Sequence, residues 1–284
     1  MKKNLQNNPT TYKEGGRDNP IGVFDSGVGG LTVVKELVKS LPFESIVYFG
    51  DTARVPYGTK SKQSVVKFSG EIVDFLLKKE VKLILVACNT ASAVALESLR
   101  RKTKIPVIGV IDSGAVAAAS ASKNKKIGVV GTTATIKSGA YKAAIGKYVK
   151  NATVIQKACP LFVPLVEEGW IKKTVTENIA REYLLPLKKT GCDAVILGCT
   201  HYPLMKNVIK KILGRKIILV DSATEVTKKV ANILLQKNLT RKGGGSGKKY
   251  FYVSDAPEKF KQLGKIFLGK TITKVTKINI EPQY

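Results

Sequence analysis

The sequence is short of acidic residues, of cysteine and of histidine. Its 284 residues include 21 Asp and Glu against 48 Lys and Arg, with four Cys and one His. Four cysteines, none spaced as CxxC, argue against a disulfide framework and fit free thiols in a reducing compartment, which predicts a cytoplasmic protein. Cys199 and His201 could be a fragment of a zinc site, but a single His leaves too few further ligands. We therefore expect no metal.

Long apolar runs are also missing. No segment approaches the roughly eighteen apolar residues of a membrane span, which predicts a soluble protein with no membrane partner. Residues 1–20 carry lysines without an apolar run behind them, so they match neither a secretory signal nor an anchor and are expected to form a flexible tail. The hydrophobic content of 44% is enough for one large or two ordinary domains.

The formal net charge of +27 leaves two interpretations open. The first is a nucleic-acid or anion-binding protein on a retired enzyme scaffold, whose affinity would fall steeply with salt. The second is a solvated, lysine-rich exterior. The basic residues form small clusters without the aromatic residues of a base-stacking surface, which favours the second interpretation.

One pattern occurs twice, an apolar run that ends in a cysteine and a hydroxyl-rich turn. The first copy is VKLILVACNTAS at residues 81–92, and the second is DAVILGCTHYPL at residues 193–204. Each run predicts a buried strand followed by the start of a helix. Cys88 and Cys199 are therefore expected at the carboxyl ends of two strands, where open α/β sheets bind their ligands.

The two cysteines belong to a longer internal repeat. Four landmarks recur in the same order at offsets of 106 to 111 residues: Ile21 with Ile127, Pro56 with Pro164, Cys88 with Cys199, and Asp112 with Asp221. This order predicts an α/β protein with two pseudo-symmetric α/β domains, mostly parallel sheets and an active site in the interdomain cleft. We expect the first domain to comprise residues 21–112 plus 223–284, and the second residues 113–222.

Two thiols that face one cleft from opposite sides suit a particular chemistry. One can remove a proton from a carbon while the other returns a proton to the opposite face, which inverts a stereocentre. A thiol, with an ordinary pKa of about 8.5, can serve as either base or acid once its neighbours tune it. A cysteine phosphatase is excluded, because Val94 and Met205 stand where it needs Arg. Cys159 and Cys192 are predicted to be buried structural residues.

Polar residues near the two thiols are candidates for tuning them and for holding a substrate. Asp25, at the end of the first strand, and His201, two residues beyond Cys199, are the candidate orienting or proton-sharing groups. Other hydroxyls and amides lie in turns whose N–H groups could bind a carboxylate. These residues are Ser26, Asn89, Thr90 and Thr200.

Five segments together resemble one family. They are FDSGVGGL, GDTARVPYG, ACNTASA, VPLVEEG and GCTHYPL, which span about residues 21–222. The chain resembles the glutamate racemases of the cofactor-independent aspartate/glutamate racemase superfamily. The resemblance implies interconversion of L- and D-glutamate, with the D-enantiomer supplied to peptidoglycan synthesis. It also implies two domains, no pyridoxal phosphate, nucleotide or metal, and a homodimer.

The resemblance assigns roles to individual positions. Cys88 matches the base that acts on D-glutamate, and Cys199 matches the base that acts on L-glutamate. Asp25 and His201 match the groups beside them, and Glu167, favoured over its neighbour Glu168, matches a carboxylate that assists His201. The positions that match substrate contacts are Asp25, Ser26, Tyr57, Gly58, Asn89, Thr90, Thr200 and His201.

Two other enzymatic functions remain as alternatives. Aspartate racemases share the two-cysteine logic, so the choice of glutamate depends on whole motifs such as GCTHYPL. A lyase or decarboxylase of the same superfamily would need only one of the thiols. The presence of both cysteines in matching turns argues against that second alternative.

Overall fold

A computed structural model of the chain describes residues 16–280. Most of the predicted tail, residues 1–15, lies outside the described residues. Residues 16–20 form a turn before the first strand, in which the amide of Asn19 donates to the carbonyl of Gly16 at 3.1 Å. Among residues 16–280, every helix is too short or too polar to cross a membrane.

Strands and helices alternate along the described chain. The strands are β1 (Ile21–Asp25), β2 (Ile46–Gly50), β3 (Leu83–Val86), β4 (Val107–Gly109), β5 (Lys126–Gly131), β6 (Thr153–Ala158), β7 (Ala194–Gly198), β8 (Ile218–Val220), β9 (Lys249–Val253) and β10 (Thr276–Lys277). The helices are α1 (Leu31–Ser40), α2 (Lys62–Lys78), α3 (Asn89–Val94), α4 (Leu96–Lys102), α5 (Val110–Ala121), α6 (Thr133–Lys137), α7 (Ala140–Tyr148), α8 (Phe162–Glu167), α9 (Thr174–Lys188), α10 (Lys206–Leu213), α11 (Ser222–Gln236) and α12 (Pro257–Leu268).

The strands form two parallel sheets of related topology. The first has the order β10-β9-β2-β1-β3-β4, and the second has the order β6-β5-β7-β8. Four consecutive strands of the first sheet, β2-β1-β3-β4, repeat the order of the second. This arrangement confirms the predicted α/β class with parallel sheets. The predicted domain boundaries within residues 21–284 stay a prediction.

The strands that lead to Asp25 and to the two thiols are fully buried. Every residue of β1, β3 and β7 is buried, as expected for parallel strands that are covered by helices on both faces. Such strands need continuous apolar sequence, and the runs IGVFD, LILV and AVILG supply it. The carboxyl ends of these strands are therefore held rigidly, and the polar turns begin where the apolar runs end.

The sequence pattern predicts one helix at about residues 91–101 and then a strand, PVIGVID, that ends at Asp112. Both of these local predictions are wrong. The single helix expected at about residues 91–101 is divided into α3 and α4, with Ala95 between them. The strand expected to reach Asp112 stops at Gly109, because the amide of Val110 donates to the Ser92 hydroxyl at 3.2 Å and a helix begins there. Asp112 thus lies inside α5, whereas Asp221 caps α11.

The C-terminal segment adds the outer strands of the first sheet. Strand β9 pairs in parallel with β2, and α12 packs against α1. The buried ammonium of Lys82 fastens distant parts of the chain together. It donates to the carbonyls of Arg17 at 2.6 Å and Leu239 at 2.8 Å, and it pairs with the carboxylate of Glu44.

Candidate active site

The carboxyl ends of the two sheets meet around one small cavity. Its volume is about 30 Å³. Most of the predicted site residues line it: Ser26, Tyr57, Gly58, Cys88, Asn89, Thr90, Glu167, Cys199, Thr200 and His201. Asp25 is fully buried and within hydrogen-bond reach of Thr200. The structure therefore brings together residues that the sequence separates by up to 176 positions.

The first thiol is buried beside a hydroxyl and a carboxyl group. Cys88 precedes α3, where its sulfur accepts from the Ala91 amide at 3.5 Å and donates to the Ser26 hydroxyl at 3.8 Å. Burial raises the pKa of Cys88 to about 12, and the nearby carboxylate of Asp25 adds to the rise. Cys88 is therefore a protonated thiol near neutral pH.

Asp25 joins the two halves of the site. One of its oxygens accepts from the Gly27 amide at 3.0 Å, and the other accepts from the Thr200 hydroxyl at 3.4 Å. Burial raises the pKa of Asp25, while the neighbouring His201 acts in the opposite direction. The carboxyl group thus joins the loop after β1 to the turn that carries Cys199.

The second thiol lies beside the imidazole of His201. Nδ1 of His201 lies 3.9 Å from the sulfur of Cys199, and its Nε2 lies 2.9 Å from Oε1 of Glu167. Burial lowers the pKa of His201, but the hydrogen bonds with Cys199 and Glu167 outweigh it and raise the pKa to about 10. His201 is therefore an imidazolium at neutral pH, between a sulfur and a carboxylate.

Glu167 makes the contact that its neighbour does not. Burial acts to raise the pKa of Glu167, but the hydrogen bond with His201 overcomes it, so that the pKa is lowered. Glu168 follows the last residue of α8 and is exposed. Of the two carboxylates weighed from the sequence, Glu167 is the one at the imidazole.

The loop after β2 brings Tyr57 and Gly58 to the cavity. The Tyr57 hydroxyl donates to Asp51, which also accepts from the Arg54 guanidinium at 2.8 Å and from the Ser254 hydroxyl at 2.8 Å. Because the Tyr57 hydroxyl is already engaged, the ring and the backbone are what the loop offers to the cavity. A Cβ on Gly58 would lie 2.6 Å from Cβ of Thr132, so only glycine fits there.

The glycines after β1 also allow a close approach. A Cβ on Gly29 would lie 2.2 Å from the Thr200 hydroxyl oxygen and 2.5 Å from Nδ1 of His201. The glycine-rich loop, which resembles a phosphate cradle without matching either phosphate-binding motif, thus lets the backbone of the first half touch the second thiol turn.

Sequence reasoning missed several residues at the site, three of which lie against predicted ones. The Thr132 hydroxyl lies 2.9 Å from that of Thr90, and Tyr141 donates to the Asn89 side-chain oxygen at 2.7 Å. The ring centroid of Phe267 lies 5.0 Å from that of His201. The internal repeat could have found Thr132, because it stands 106 residues after Ser26, the same offset that relates the strands β1 and β5. Tyr141 and Phe267 have no such signal.

The structure also shows the surroundings of the other two cysteines and bears on the zinc site considered from the sequence. Cys159 and Cys192 are buried, and burial raises the pKa of Cys159 to about 12. Within the described residues, no group of three His, Cys, Asp or Glu side chains converges on a point where it could hold a metal ion.

Comparison with known proteins extends the resemblance to 93% of the chain. The family model for Asp/Glu/Hydantoin racemase matches residues 21–230. A glutamate racemase of Geobacter metallireducens is 49% identical over 263 residues, which cover 93% of this chain and 97% of that protein. One from Neisseria meningitidis serogroup A is 48% identical over 266 residues, covering 93% of this chain and 98% of the relative.

A solved structure agrees with these sequence matches. The crystal structure of glutamate racemase from Francisella tularensis in complex with D-glutamate superposes with a TM-score of 0.88 at 40% identity, covering 93% of this chain and 99% of that one. The resemblance that the five motifs indicate is thereby confirmed.

Proposed function

We propose that this chain, which belongs to the Asp/Glu/Hydantoin racemase family, interconverts L- and D-glutamate without a cofactor. The observation that carries the proposal is the pair of thiols that line one cavity and have unlike partners. Cys88 is a neutral thiol, and Cys199 lies beside an imidazolium. The chain's similarity to glutamate racemases over 93% of its length supports the choice of glutamate.

The reaction needs one proton to leave and another to arrive. In the L-to-D direction, Cys199 as thiolate takes the α-proton of L-glutamate, and the electron pair of the C–H bond passes into the α-carboxylate. The Cys88 thiol then gives its proton to the opposite face of the carbon. The product is D-glutamate, with Cys199 now a thiol and Cys88 a thiolate. D-glutamate reacts by the reverse steps, with Cys88 as the base.

The polar groups beside the thiols take supporting roles in this proposal. His201 shares a proton with Cys199, and Glu167 holds the imidazole in its charged form. Asp25 lies near Cys88 and keeps that thiol protonated until the carbanion forms. A developing negative charge between a thiol and an imidazolium is stabilised more strongly in a buried site than in water.

The carboxylates of the substrate need donors, and the turns around the cavity supply them. We assign substrate contacts to Asp25, Ser26, Tyr57, Gly58, Asn89, Thr90, Thr200 and His201. The cavity has a volume of about 30 Å³, and we propose that it opens to admit glutamate and closes around the bound substrate. Closure excludes water from the carbanion.

The biological setting follows from the proposed reaction. D-glutamate is a component of peptidoglycan, so the enzyme would supply cell-wall synthesis. We place it in the cytoplasm, where its four thiols stay reduced, and we propose a homodimer. Sedimentation of the purified chain at two concentrations tests the dimer.

Racemisation in heavy water tests the function. Each glutamate enantiomer and each aspartate enantiomer is incubated with the wild type, Cys88→Ala, Cys199→Ala and the control Cys192→Ala. We expect deuterium in the inverted glutamate, a loss of inversion greater than about a thousandfold in the first two variants, and retained activity in the control. Inversion of aspartate alone would change the substrate. Consumption of glutamate without inversion would indicate a lyase or decarboxylase instead.

A further inference from the structure

Tyr141 contacts the residue next to each thiol, although it does not line the cavity itself. It lies on α7, is fully buried, and donates its hydroxyl to Oδ1 of Asn89 at 2.7 Å. Asn89 directly follows Cys88. The other contact is with Gly198, directly before Cys199, where an added Cβ would lie 3.0 Å from the Tyr141 ring. One side chain therefore fills the space between the two thiol-bearing turns.

The hydrogen bond decides which end of the Asn89 amide faces the cavity. Asn89 lines the cavity, and its oxygen is occupied by the tyrosine hydroxyl. The amide nitrogen, which has two donors, is the end that remains available. An ionised carboxylate only accepts hydrogen bonds, so it is bound by the nitrogen and repelled by the oxygen. Burial raises the pKa of Tyr141 well above its ordinary value, which keeps the hydroxyl a neutral donor.

We propose that Tyr141 is a positioning residue, which fixes the Asn89 amide with its nitrogen toward a substrate carboxylate and holds the two thiol turns at their working separation. The inference depends on the proposed function, because the carboxylate belongs to glutamate. It adds to that function a residue on the second half of the molecule that prepares a binding group on the first.

A double-mutant cycle tests the hydrogen bond. Tyr141→Phe removes only the hydroxyl, and we expect KM for both enantiomers to rise about 3- to 10-fold, the ratio that one net hydrogen bond is worth, with a smaller change in kcat. In Asn89→Ala, the further change Tyr141→Phe should leave KM as it is, because the amide to be oriented is gone. An unchanged KM in the single variant, or an equal rise in both backgrounds, would overturn the proposal.

A second variant covers the case in which Tyr141→Phe does not fold. In Gly114→Ala, a methyl group inside α5 would lie 3.1 Å from the Tyr141 ring and 3.2 Å from its oxygen, and alanine also favours the helix. The matched control is Gly146→Ala in α7, where nothing lies within 4 Å of the new carbon. We expect KM to rise in the first and to stay constant in the second. Equal values would overturn the proposal.

The racemase activity of the unmodified chain distinguishes a failure of this inference from a failure of the proposed function. If the unmodified chain does not racemise glutamate, the function has failed and the kinetic cycle has no signal. If it does, the cycle reports on Tyr141 alone. Since the enantiomers have equal free energies, kcat/KM must fall by the same factor in both directions, which checks the measurement internally.

Discussion

The two halves of the active site share a backbone plan and differ in chemistry. Strands β2-β1-β3-β4 and β6-β5-β7-β8 have the same order, and a cysteine follows the third of the four strands along the chain in each set. Yet Cys88 has Ser26 and a buried carboxyl group nearby, whereas Cys199 has an imidazole. In the proposed reaction, the same fold therefore surrounds the two sulfurs with different groups, so that the Cys88 thiol can give a proton while Cys199 takes one.

This difference matters because inversion needs unlike partners at the same moment. Two neutral thiols would have no base, and two thiolates would have no acid. In the proposed reaction, the unlike neighbours of the two thiols favour one protonation state before turnover, and each turnover exchanges the roles of acid and base. The enantiomer that binds then decides the direction of the reaction.

The largest expected effect comes from removing the imidazole. His201→Asn leaves Cys199 without its charged neighbour, so both halves become neutral and no base is ready. We expect kcat to fall about 100- to 1000-fold in both directions, the range of one general acid or base. Polarimetry with each enantiomer measures it. A loss below tenfold would mean that the unlike partners do not control the reaction.

A smaller effect should follow from weakening the imidazolium without removing it. In Glu167→Gln the charge that holds the proton on His201 is lost, so the pKa of His201 falls from about 10 toward its ordinary value of 6.5. We expect kcat/KM to drop about tenfold at pH 8 to 9 and less at pH 6. Glu168→Gln, at the exposed neighbour, is the matched control and should keep the wild-type pH profile. Identical profiles for the two variants would contradict the role of Glu167.

The smallest effects are on stability, and they should have opposite signs in the two halves. The folded pKa of Glu167 is lowered and that of His201 is raised, so their pair stabilises fully between the ordinary values of 4.5 and 6.5. The stabilisation is lost as pH falls through the folded pKa of Glu167 or rises toward about 10. Glu167→Gln should therefore lower the free energy of unfolding by about 1–2 kcal/mol in that window.

Asp25 behaves in the reverse way. Its folded pKa is raised, so its contribution is lost as pH rises above the ordinary value of 3.8. We expect Asp25→Asn to raise the free energy of unfolding by about 1 kcal/mol at pH 6, at the expense of activity. Urea denaturation between pH 4 and 9 measures both variants. A loss of stability in both would contradict the comparison.

The sequence predicts what local patterns decide. The positions of Cys88 and Cys199 can be predicted because an apolar run ends just before each of them. Such a run predicts a buried strand whichever strands it pairs with. The strand predicted to reach Asp112 ends early, because the hydroxyl of Ser92, on another helix, accepts a hydrogen bond from the Val110 amide. The contact between Tyr141 and Asn89 joins residues 52 positions apart. It depends on how α7 packs, which no periodicity in either segment encodes.

The route of the chain through the first sheet also bears on protein synthesis. Strand β9, which pairs with β2, is made only after every strand of the second sheet. As the polypeptide leaves the ribosome, the second sheet can therefore be complete while β2 still has an open edge. During that interval Lys82 also lacks the carbonyl of Leu239. The nascent first sheet is the part of this protein that most needs protection from wrong partners, because unpaired strand edges recruit other chains.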